Sequence, residues 1–152
     1  MKLSTKGRYG LRAMIDLALN SEDGNAVSIQ SVSERQNISE SYLEQLVRKL
    51  RTEGLVISVR GAGGGYELAR PASQISVGDV LRALEGSIRA VSCGGEDESS
   101  CEQADLCVTK IVWDRVNKAI EEAVDTITIA QLVEESKKKM CRGSMDTKSC
   151  AN

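Results

Sequence analysis

Three cysteines lie close together in the stretch CGGEDESSCEQADLC, at positions Cys93, Cys101 and Cys107. Their thiolates suit a soft metal centre such as zinc, copper(I) or an iron–sulfur cluster. Seven and then five residues separate them. This spacing is wider than that of a CxxC zinc knuckle and favours a larger body such as a [2Fe–2S] cluster. Surface thiols without a ligand, or a reversible disulfide between two of them, are the alternatives.

The composition limits what other chemistry is available. The 152 residues include five cysteines but no histidine, which excludes His-dependent catalytic triads and His-ligated zinc sites. No set of residues suggests an enzyme. No apolar stretch has the roughly 20 residues of a membrane span, and the first ten residues lack the apolar stretch of a signal peptide. We therefore expect a cytoplasmic protein with no membrane partner, whose cysteines are thiols or metal ligands.

A second group of residues has the pattern of a nucleic-acid interface. A helix predicted from about residue 41 to 53 presents polar and basic side chains opposite its apolar stripe. Arg60 comes directly before the sequence GAGGG between two predicted strands, where it could enter a minor groove or read a guanine. The candidate DNA contacts are Ser39, Ser41, Tyr42, Glu44, Gln45, Arg48 and Arg60. Each basic residue alone also fits a solvated helix face, but the whole set favours binding to double-stranded DNA.

The elements that position these residues follow from hydrophobic periodicity and capping signals. We predict helices over 8–20, 29–36, 41–53, 77–86, 108–126 and 129–138 and strands over 55–60 and 66–69. Ser28 is the expected N-cap of the helix over 29–36, and Ser76 and Asp79 are expected to open the helix that begins at 77. Ser41 and Glu44 have the spacing of a capping box, and Gly54 is expected as a left-handed C-cap. The expected fold class is mostly α with a small β-wing, namely a winged helix-turn-helix domain plus a long dimerisation helix.

The chain is expected to consist of four regions. Residues 1–86 are expected to form the DNA-binding domain, and 87–107 a connection with the cysteine cluster-binding loop. Residues 108–138 are expected to form the dimerisation helix and a closing helix, and 139–152 a flexible tail. Ten basic and eight acidic residues in the first 70 positions permit a local basic face, whereas a strongly basic nucleic-acid coat is excluded.

Four sequence blocks carry a resemblance to a known family: LSTKGRYG, ISESYLEQLVRKLRTEGLV, VRGAGGGYEL and ISVGDVLRALEG. They resemble the IscR-like winged-helix iron–sulfur cluster transcription regulators, whose relatives include NsrR and CymR, over residues 1 to about 135. The resemblance implies a homodimer whose long helices cross between subunits and which reads palindromic promoter sites. By position it implies DNA contacts at Ser41, Tyr42, Glu44, Gln45 and Arg60. Glu44 would discriminate between sequences, because a carboxylate accepts from cytosine but repels phosphate.

The resemblance also implies that Cys93, Cys101 and Cys107 are the thiolate ligands of a [2Fe–2S] cluster. The family's fourth ligand is a histidine three residues after the last cysteine, and here that position holds Lys110. Lys110 could ligate only as a neutral amine. The acidic ligand of NsrR-like proteins has no match, since position 8 is an arginine. The other candidates for the fourth ligand are Glu102, Asp105, Cys141, Cys150, an external thiol and a solvent ligand.

We therefore expect a homodimeric DNA-binding transcription regulator that carries a [2Fe–2S] cluster and senses iron–sulfur status, oxidants or nitric oxide. One alternative keeps the DNA binding but replaces the cluster by thiol chemistry or a partner enzyme. It would act as a CymR-like repressor of cysteine or sulfur metabolism. Another alternative is an iron–sulfur carrier whose helix-turn-helix is vestigial.

Overall fold

The computed structural model describes residues 4–21, 24–91 and 107–143. Within these ranges the chain forms α1 (Thr5–Asn20), α2 (Ile29–Gln36), α3 (Glu40–Thr52), β1 (Val56–Val59), β2 (Gly65–Leu68), α4 (Val77–Glu85), α5 (Lys110–Asp125) and α6 (Ile129–Gly143). This is the mostly helical fold with a small β-wing that the sequence predicts. The predicted ligands Cys93 and Cys101, and the candidates Glu102, Asp105 and Cys150, lie outside the described residues.

Serine side chains cap the first four helices. Ser28 and Ser76 cap α2 and α4 as predicted, and Ser76 forms a reciprocal capping box with Asp79. α1 begins at Thr5, three residues before the predicted start, because the side chain of Ser4 caps it. This first turn carries polar side chains, so the apolar periodicity does not reveal it.

The N-terminus of α3 lies one residue earlier than predicted. Ser39 has an extended backbone, with φ −60° and ψ 141°, and its hydroxyl accepts a 3.4 Å hydrogen bond from the Tyr42 amide. The predicted capping box of Ser41 and Glu44 is therefore wrong, because Ser41 lies inside the first turn. At the other end of the helix, Gly54 has the predicted left-handed conformation, with φ +70°.

The hydrophobic core lies between α1, α3, α4 and α6 and supports α3 from behind. Its fully buried side chains include Met14, Leu17, Leu43, Leu46, Leu50, Ile75 and Ile129. Most of them belong to the apolar stripes that the periodicity predicts. Because burial of one such side chain is worth about 1.5–3 kcal/mol, this core holds the buried face of α3 firmly in place.

β1 and β2 form the wing, an antiparallel pair that ends with Val59 opposite Gly65. The segment before α2 extends this pair, since the backbone N–H and C=O groups of Val27 and Tyr66 bond each other at 2.9 and 2.8 Å. A side chain at Gly65 would collide with the backbone of Val27, so this close approach requires glycine. The base of the wing is thereby fixed to the start of α2.

α5 extends for 16 residues, about 24 Å, and turns back into α6. Two backbone hydrogen bonds hold the junction, from Val77 to Ile127 at 2.8 Å and from Ile129 to Ile75 at 2.9 Å. α6 packs on α1 and continues to Gly143, five residues beyond the predicted end. No helix in the described ranges is both long and apolar enough to cross a membrane.

Candidate nucleic-acid interface and cysteine segment

α3 has one buried face and one exposed face. Its apolar residues Leu43, Leu46, Val47 and Leu50 are buried in the core. The exposed residues include Ser41, Glu44, Gln45 and Arg48, with Ser39 exposed just before the helix. Serine, glutamine and arginine can donate to bases and phosphates, whereas glutamate can only accept. Most of the predicted DNA contacts therefore share one solvent-facing surface.

Tyr42 differs from these residues because it is partly buried. Its hydroxyl lies 3.3 Å from the Thr5 hydroxyl of α1, and its ring meets the Tyr9 ring edge-on, with centroids 6.0 Å apart. The guanidinium groups of Arg8 and Arg12 lie 5.3 and 5.4 Å from the centre of the Tyr9 ring. The start of α3 is thus fixed to α1 and bordered by two exposed arginines. Sequence reasoning did not assign these arginines to the interface, although one precedes Tyr9 and the other follows it by one helical turn.

A buried carboxylate, Asp16, holds α2 against α1. Asp16 is 3 % exposed and accepts hydrogen bonds from Arg35 at 2.6 and 3.0 Å and from the side-chain amide of Gln36 at 2.8 Å. The hydrogen bond to Asp16 raises the pKa of Arg35. Arg12 completes the connection by donating to the Gln36 side-chain oxygen at 3.1 Å. Because the turn into α3 begins directly after Gln36, these contacts fix the direction in which α3 leaves α2.

We expect Asp16→Ala to lower the free energy of unfolding by about 2 kcal/mol. The substitution leaves the side-chain amide of Gln36 without this acceptor, whereas Arg35 is 39 % exposed and can still bind water. Urea unfolding measures the effect. Glu34→Ala is the matched control, since Glu34 is an exposed acid of α2, and it should change stability by less than about 0.5 kcal/mol. Equal effects of the two substitutions would contradict the structural role of Asp16.

Arg60 is exposed at the start of the tight loop that forms the tip of the wing. The Gly64 amide donates to the Gly61 carbonyl at 3.0 Å, and Gly61 has φ +117°. A Cβ atom at Gly64 would lie 2.7 Å from the Val59 carbonyl oxygen. The tip therefore needs glycine, and its bare backbone can approach a DNA groove closely beside the arginine.

Cys107 is exposed at the start of α5. Its sulfur lies 3.0 Å from the Thr109 hydroxyl. Hydrogen bonds from that hydroxyl and from the Lys110 amide lower the pKa of the Cys107 thiol. A lower pKa favours the thiolate, which is the form that binds metals and reacts with oxidants.

The described residues include two of the four predicted ligand positions, Cys107 and Lys110. Lys110 is partly buried, opens α5 and donates its amide to the Cys107 carbonyl at 3.1 Å. Cys141 is exposed on α6. Within residues 4–21, 24–91 and 107–143 no three cysteine, aspartate or glutamate side chains come together as a set of metal ligands. Cys93 and Cys101 belong to the remaining part of the chain.

α5 and the residues just before it expose a group of large apolar side chains. Val108 is 79 % exposed, Ile111 65 %, Val112 54 % and Trp113 36 %. The other side of α5 packs on α4, where Arg82 and Asp125 form a bidentate salt bridge with N···O distances of 2.7 and 2.8 Å. Several large apolar residues exposed together are typical of a protein–protein contact.

The sequence matches a known protein family along most of its length. The profile of the Rrf2 family, described as an iron-dependent transcriptional regulator, matches residues 3–135. The chain belongs to the Rrf2 family. The transcriptional regulator IscR of Yersinia enterocolitica is 44 % identical over 154 residues, which cover 100 % of this chain and 92 % of that protein.

Solved structures of two Rrf2-type regulators have the same fold. T. potens IscR is 46 % identical with a TM-score of 0.72, and the match covers 91 % of this chain and 90 % of that one. CymR, the global cysteine regulator of B. subtilis, is 42 % identical with a TM-score of 0.72, covering 89 % and 98 %. The predicted family resemblance and winged-helix fold are thus confirmed. This Rrf2 protein is a DNA-binding transcriptional regulator and not an enzyme.

Proposed function

We propose that this Rrf2 protein is a cytoplasmic homodimer whose DNA binding responds to a [2Fe–2S] cluster. The observation that carries the proposal is the position of Cys107. Its exposed thiol, with a lowered pKa, is followed in the chain by the exposed Val108 and lies just before α5, the helix that exposes Ile111 and Val112. A ligand at this point would lie next to the surface through which two chains would associate.

The DNA-reading surface in this proposal consists of the exposed face of α3 and the tip of the wing. Ser39, Ser41 and Gln45 would meet base edges or nearby phosphates at the start of α3. Arg48 would meet a phosphate farther along the helix, and Arg60 would enter the adjacent groove. Tyr42, whose hydroxyl contacts Thr5, would hold the start of α3 against α1 at the edge of this surface.

Glu44 is proposed to set sequence discrimination, since its exposed carboxylate can accept from cytosine and repels phosphate. We expect Glu44→Ala to reduce the preference for the correct base pair by about 1–3 kcal/mol and to leave binding to other sequences equal or tighter. Fluorescence anisotropy with single-base variants of the promoter site measures this. Glu53→Ala, an exposed acid at the far end of α3, is the control and should preserve the preference. Uniform weakening on every sequence by Glu44→Ala would refute this role.

For the cluster we propose Cys93, Cys101 and Cys107 as thiolate ligands. The one member of this set within the described residues suits the role, because Cys107 is exposed and its hydrogen bonds favour the thiolate. When bound, the cluster supplies a centre that responds to oxidants and nitric oxide. The chain itself supplies the thiolates and places one of them at the start of α5.

Lys110 is proposed as the fourth ligand because it lies one helical turn beyond Cys107. We expect Lys110→Ala to shorten the lifetime of the cluster in air and to shift its visible absorption, since an amine ligand would be replaced by solvent or a thiol. Lys118→Ala, an exposed lysine on the same helix, should change neither. An unchanged spectrum and lifetime in Lys110→Ala would exclude the lysine as a ligand.

A second function is favoured by the thiols themselves. Cys107, with its lowered pKa, and the exposed Cys141 could respond to oxidants by disulfide formation without any metal. CymR, the global cysteine regulator, has the same TM-score as T. potens IscR. A cluster-free repressor of sulfur metabolism is therefore the alternative proposal.

Purification without oxygen distinguishes these functions. The cluster proposal predicts visible charge-transfer absorption and two irons per chain, whereas colourless protein or stoichiometric zinc would contradict it. Binding to a palindromic fragment from upstream of its own gene is then measured against salt concentration. Salt-dependent binding is expected for both regulators, whereas an iron–sulfur carrier with a vestigial helix-turn-helix would show little affinity at physiological salt.

A further inference from the structure

The first three turns of α1 carry three basic side chains and no acidic one. Lys6, Arg8 and Arg12 are all exposed, and residues 4–15 contain neither aspartate nor glutamate. Positive charge at the start of a helix opposes the helix macrodipole, so it does not stabilise α1. Within the described ranges, neither Arg8 nor Arg12 forms an ion pair with a carboxylate. These bases therefore require an explanation other than helix stability.

Lys6 differs from the two arginines because an acid balances its charge. Glu85, the last residue of α4, accepts hydrogen bonds from the Ser4 amide at 3.1 Å and from the Gly7 amide at 2.9 Å. Burial raises the pKa of Glu85, but hydrogen bonds from Ser4 and Gly7 and the charge of Lys6 lower it overall. Glu85 thus fixes the first turn of α1 on α4 and leaves Arg8 and Arg12 as the unbalanced charges.

One aromatic ring holds both arginines. The guanidinium carbons of Arg8 and Arg12 lie 5.3 and 5.4 Å from the centre of the Tyr9 ring. Arg12 also donates from Nε to the Gln36 side-chain oxygen at 3.1 Å and from Nη2 to the Gln36 carbonyl, which leaves Nη1 for another acceptor. Side chains that are already ordered lose less conformational entropy when a ligand binds. The two guanidinium groups are therefore prepared for an anionic ligand.

The position of this pair relative to α3 indicates which anion it would bind. Gln36 is the last residue of α2, and the Tyr9 ring meets the Tyr42 ring in the first turn of α3. Arg12 therefore lies at the turn between α2 and α3, and Arg8 lies one helical turn before it. In helix-turn-helix proteins the helix before the recognition helix crosses the DNA backbone, and arginines nearby bind phosphates. Here α2 takes the place of that helix.

We propose that Arg8 and Arg12 bind backbone phosphates of the DNA strand that borders the groove entered by α3. This rests on the proposed DNA-reading surface and not on the cluster. A guanidinium donates charge-assisted hydrogen bonds to phosphate oxygens, and phosphates are the same in every sequence. The pair therefore contributes affinity and fixes the orientation of α3, whereas the base contacts set the sequence preference. In a purely structural role, the arginines would only cover the Tyr9 ring.

The salt dependence of DNA binding distinguishes these roles. Full-length wild type, Arg8→Ala and Arg12→Ala are titrated by fluorescence anisotropy, at several salt concentrations, against the palindromic promoter fragment and a scrambled duplex of equal length. We expect each substitution to weaken binding about tenfold on both duplexes, so that their affinity ratio is unchanged. The slope of log affinity against log salt should become shallower by about 0.9 for each bound chain, because one phosphate contact per chain is lost.

Conservative and distant substitutions serve as controls. Arg8→Lys keeps the charge and should retain the wild-type slope. Lys138→Ala removes one positive charge from α6, where Lys138 pairs with Glu135 at 2.8 Å, and should change neither slope nor affinity. Circular dichroism establishes that every variant is folded.

Two results would overturn the phosphate contacts. One is a wild-type slope in both alanine variants, and the other is a loss of affinity confined to the promoter fragment. Wild-type protein without salt-dependent affinity for either duplex would reject the DNA-reading surface together with this pair. Shallower slopes in protein that carries no iron would retain the phosphate contacts and reject the cluster alone.

Discussion

Ile111→Glu is expected to convert the protein to a monomer and to weaken binding to a palindromic site by about 10²–10⁴-fold. Ile111 is 65 % exposed on α5, next to Val112 and three residues after the exposed Val108, and we propose that the partner chain covers these residues. Placing a carboxylate there would require burial of an unpaired charge. A monomer engages one half-site and loses the gain in affinity that comes from linking two reading heads. Sedimentation and fluorescence anisotropy measure the two effects.

Met140→Glu is the matched control for this substitution. Met140 is a large apolar side chain on α6 with a similar exposure of 61 %, and it lies outside the proposed interface. It should leave both the dimer and the affinity unchanged. A dimeric Ile111→Glu protein with undiminished affinity would show that α5 does not join the two chains.

Cys107→Ser is expected to abolish the visible absorption of the anaerobically purified protein and to remove its stoichiometric iron. Serine has no thiolate, which is the ligand that iron–sulfur clusters require. Loss of a direct ligand is expected to reduce cluster binding more than loss of a residue that only orients a ligand. The DNA-reading surface does not contain Cys107, so the variant should still bind DNA at the level of the apoprotein. Iron analysis, absorption spectra and anisotropy measure these outcomes.

Cys141→Ser separates this loss from a general effect of removing a thiol. Cys141 is also exposed, but it lies on α6, and we expect its substitution to preserve both iron and spectrum. If Cys141→Ser lost the cluster as well, a cysteine of α6 would have to be the fourth ligand in place of Lys110. A full iron content in Cys107→Ser would reject the proposed ligand set.

Local signals in the sequence were sufficient for most of the fold. The cap at Ser28 placed the start of α2, and the capping box of Ser76 and Asp79 placed the start of α4. The same signals misplaced the start of α3, because Ser39 precedes this amphipathic helix, Ser41 lies in its first turn, and either serine could act as the cap. The choice depends on which serine has the extended backbone, and this conformation is fixed by the preceding turn rather than by the local sequence.

Contacts between distant parts of the chain could not be predicted from one sequence. Asp16 lies at a core position of α1, where an acid signals a buried partner, but nothing in the sequence identifies Arg35 as that partner. Asn117 occurs within the pattern of an amphipathic helix and forms hydrogen bonds with the backbone of residues 90 and 91. Because these bonds do not involve the side chains of residues 90 and 91, the residue types there do not indicate the contact. The candidate DNA contacts could be predicted from the sequence because they follow from the exposed face of one helix and from one loop.

We propose that cluster binding by Cys93, Cys101 and Cys107 controls DNA binding, and a comparison of the cluster-loaded and apo forms tests this most directly. Both forms are titrated without oxygen, by fluorescence anisotropy at several salt concentrations, against the palindromic fragment from upstream of the gene. We predict affinities that differ by at least about tenfold, with similar salt dependence because the same reading surface meets the phosphates in both forms. Equal affinities for the cluster-loaded and apo protein would contradict the claim.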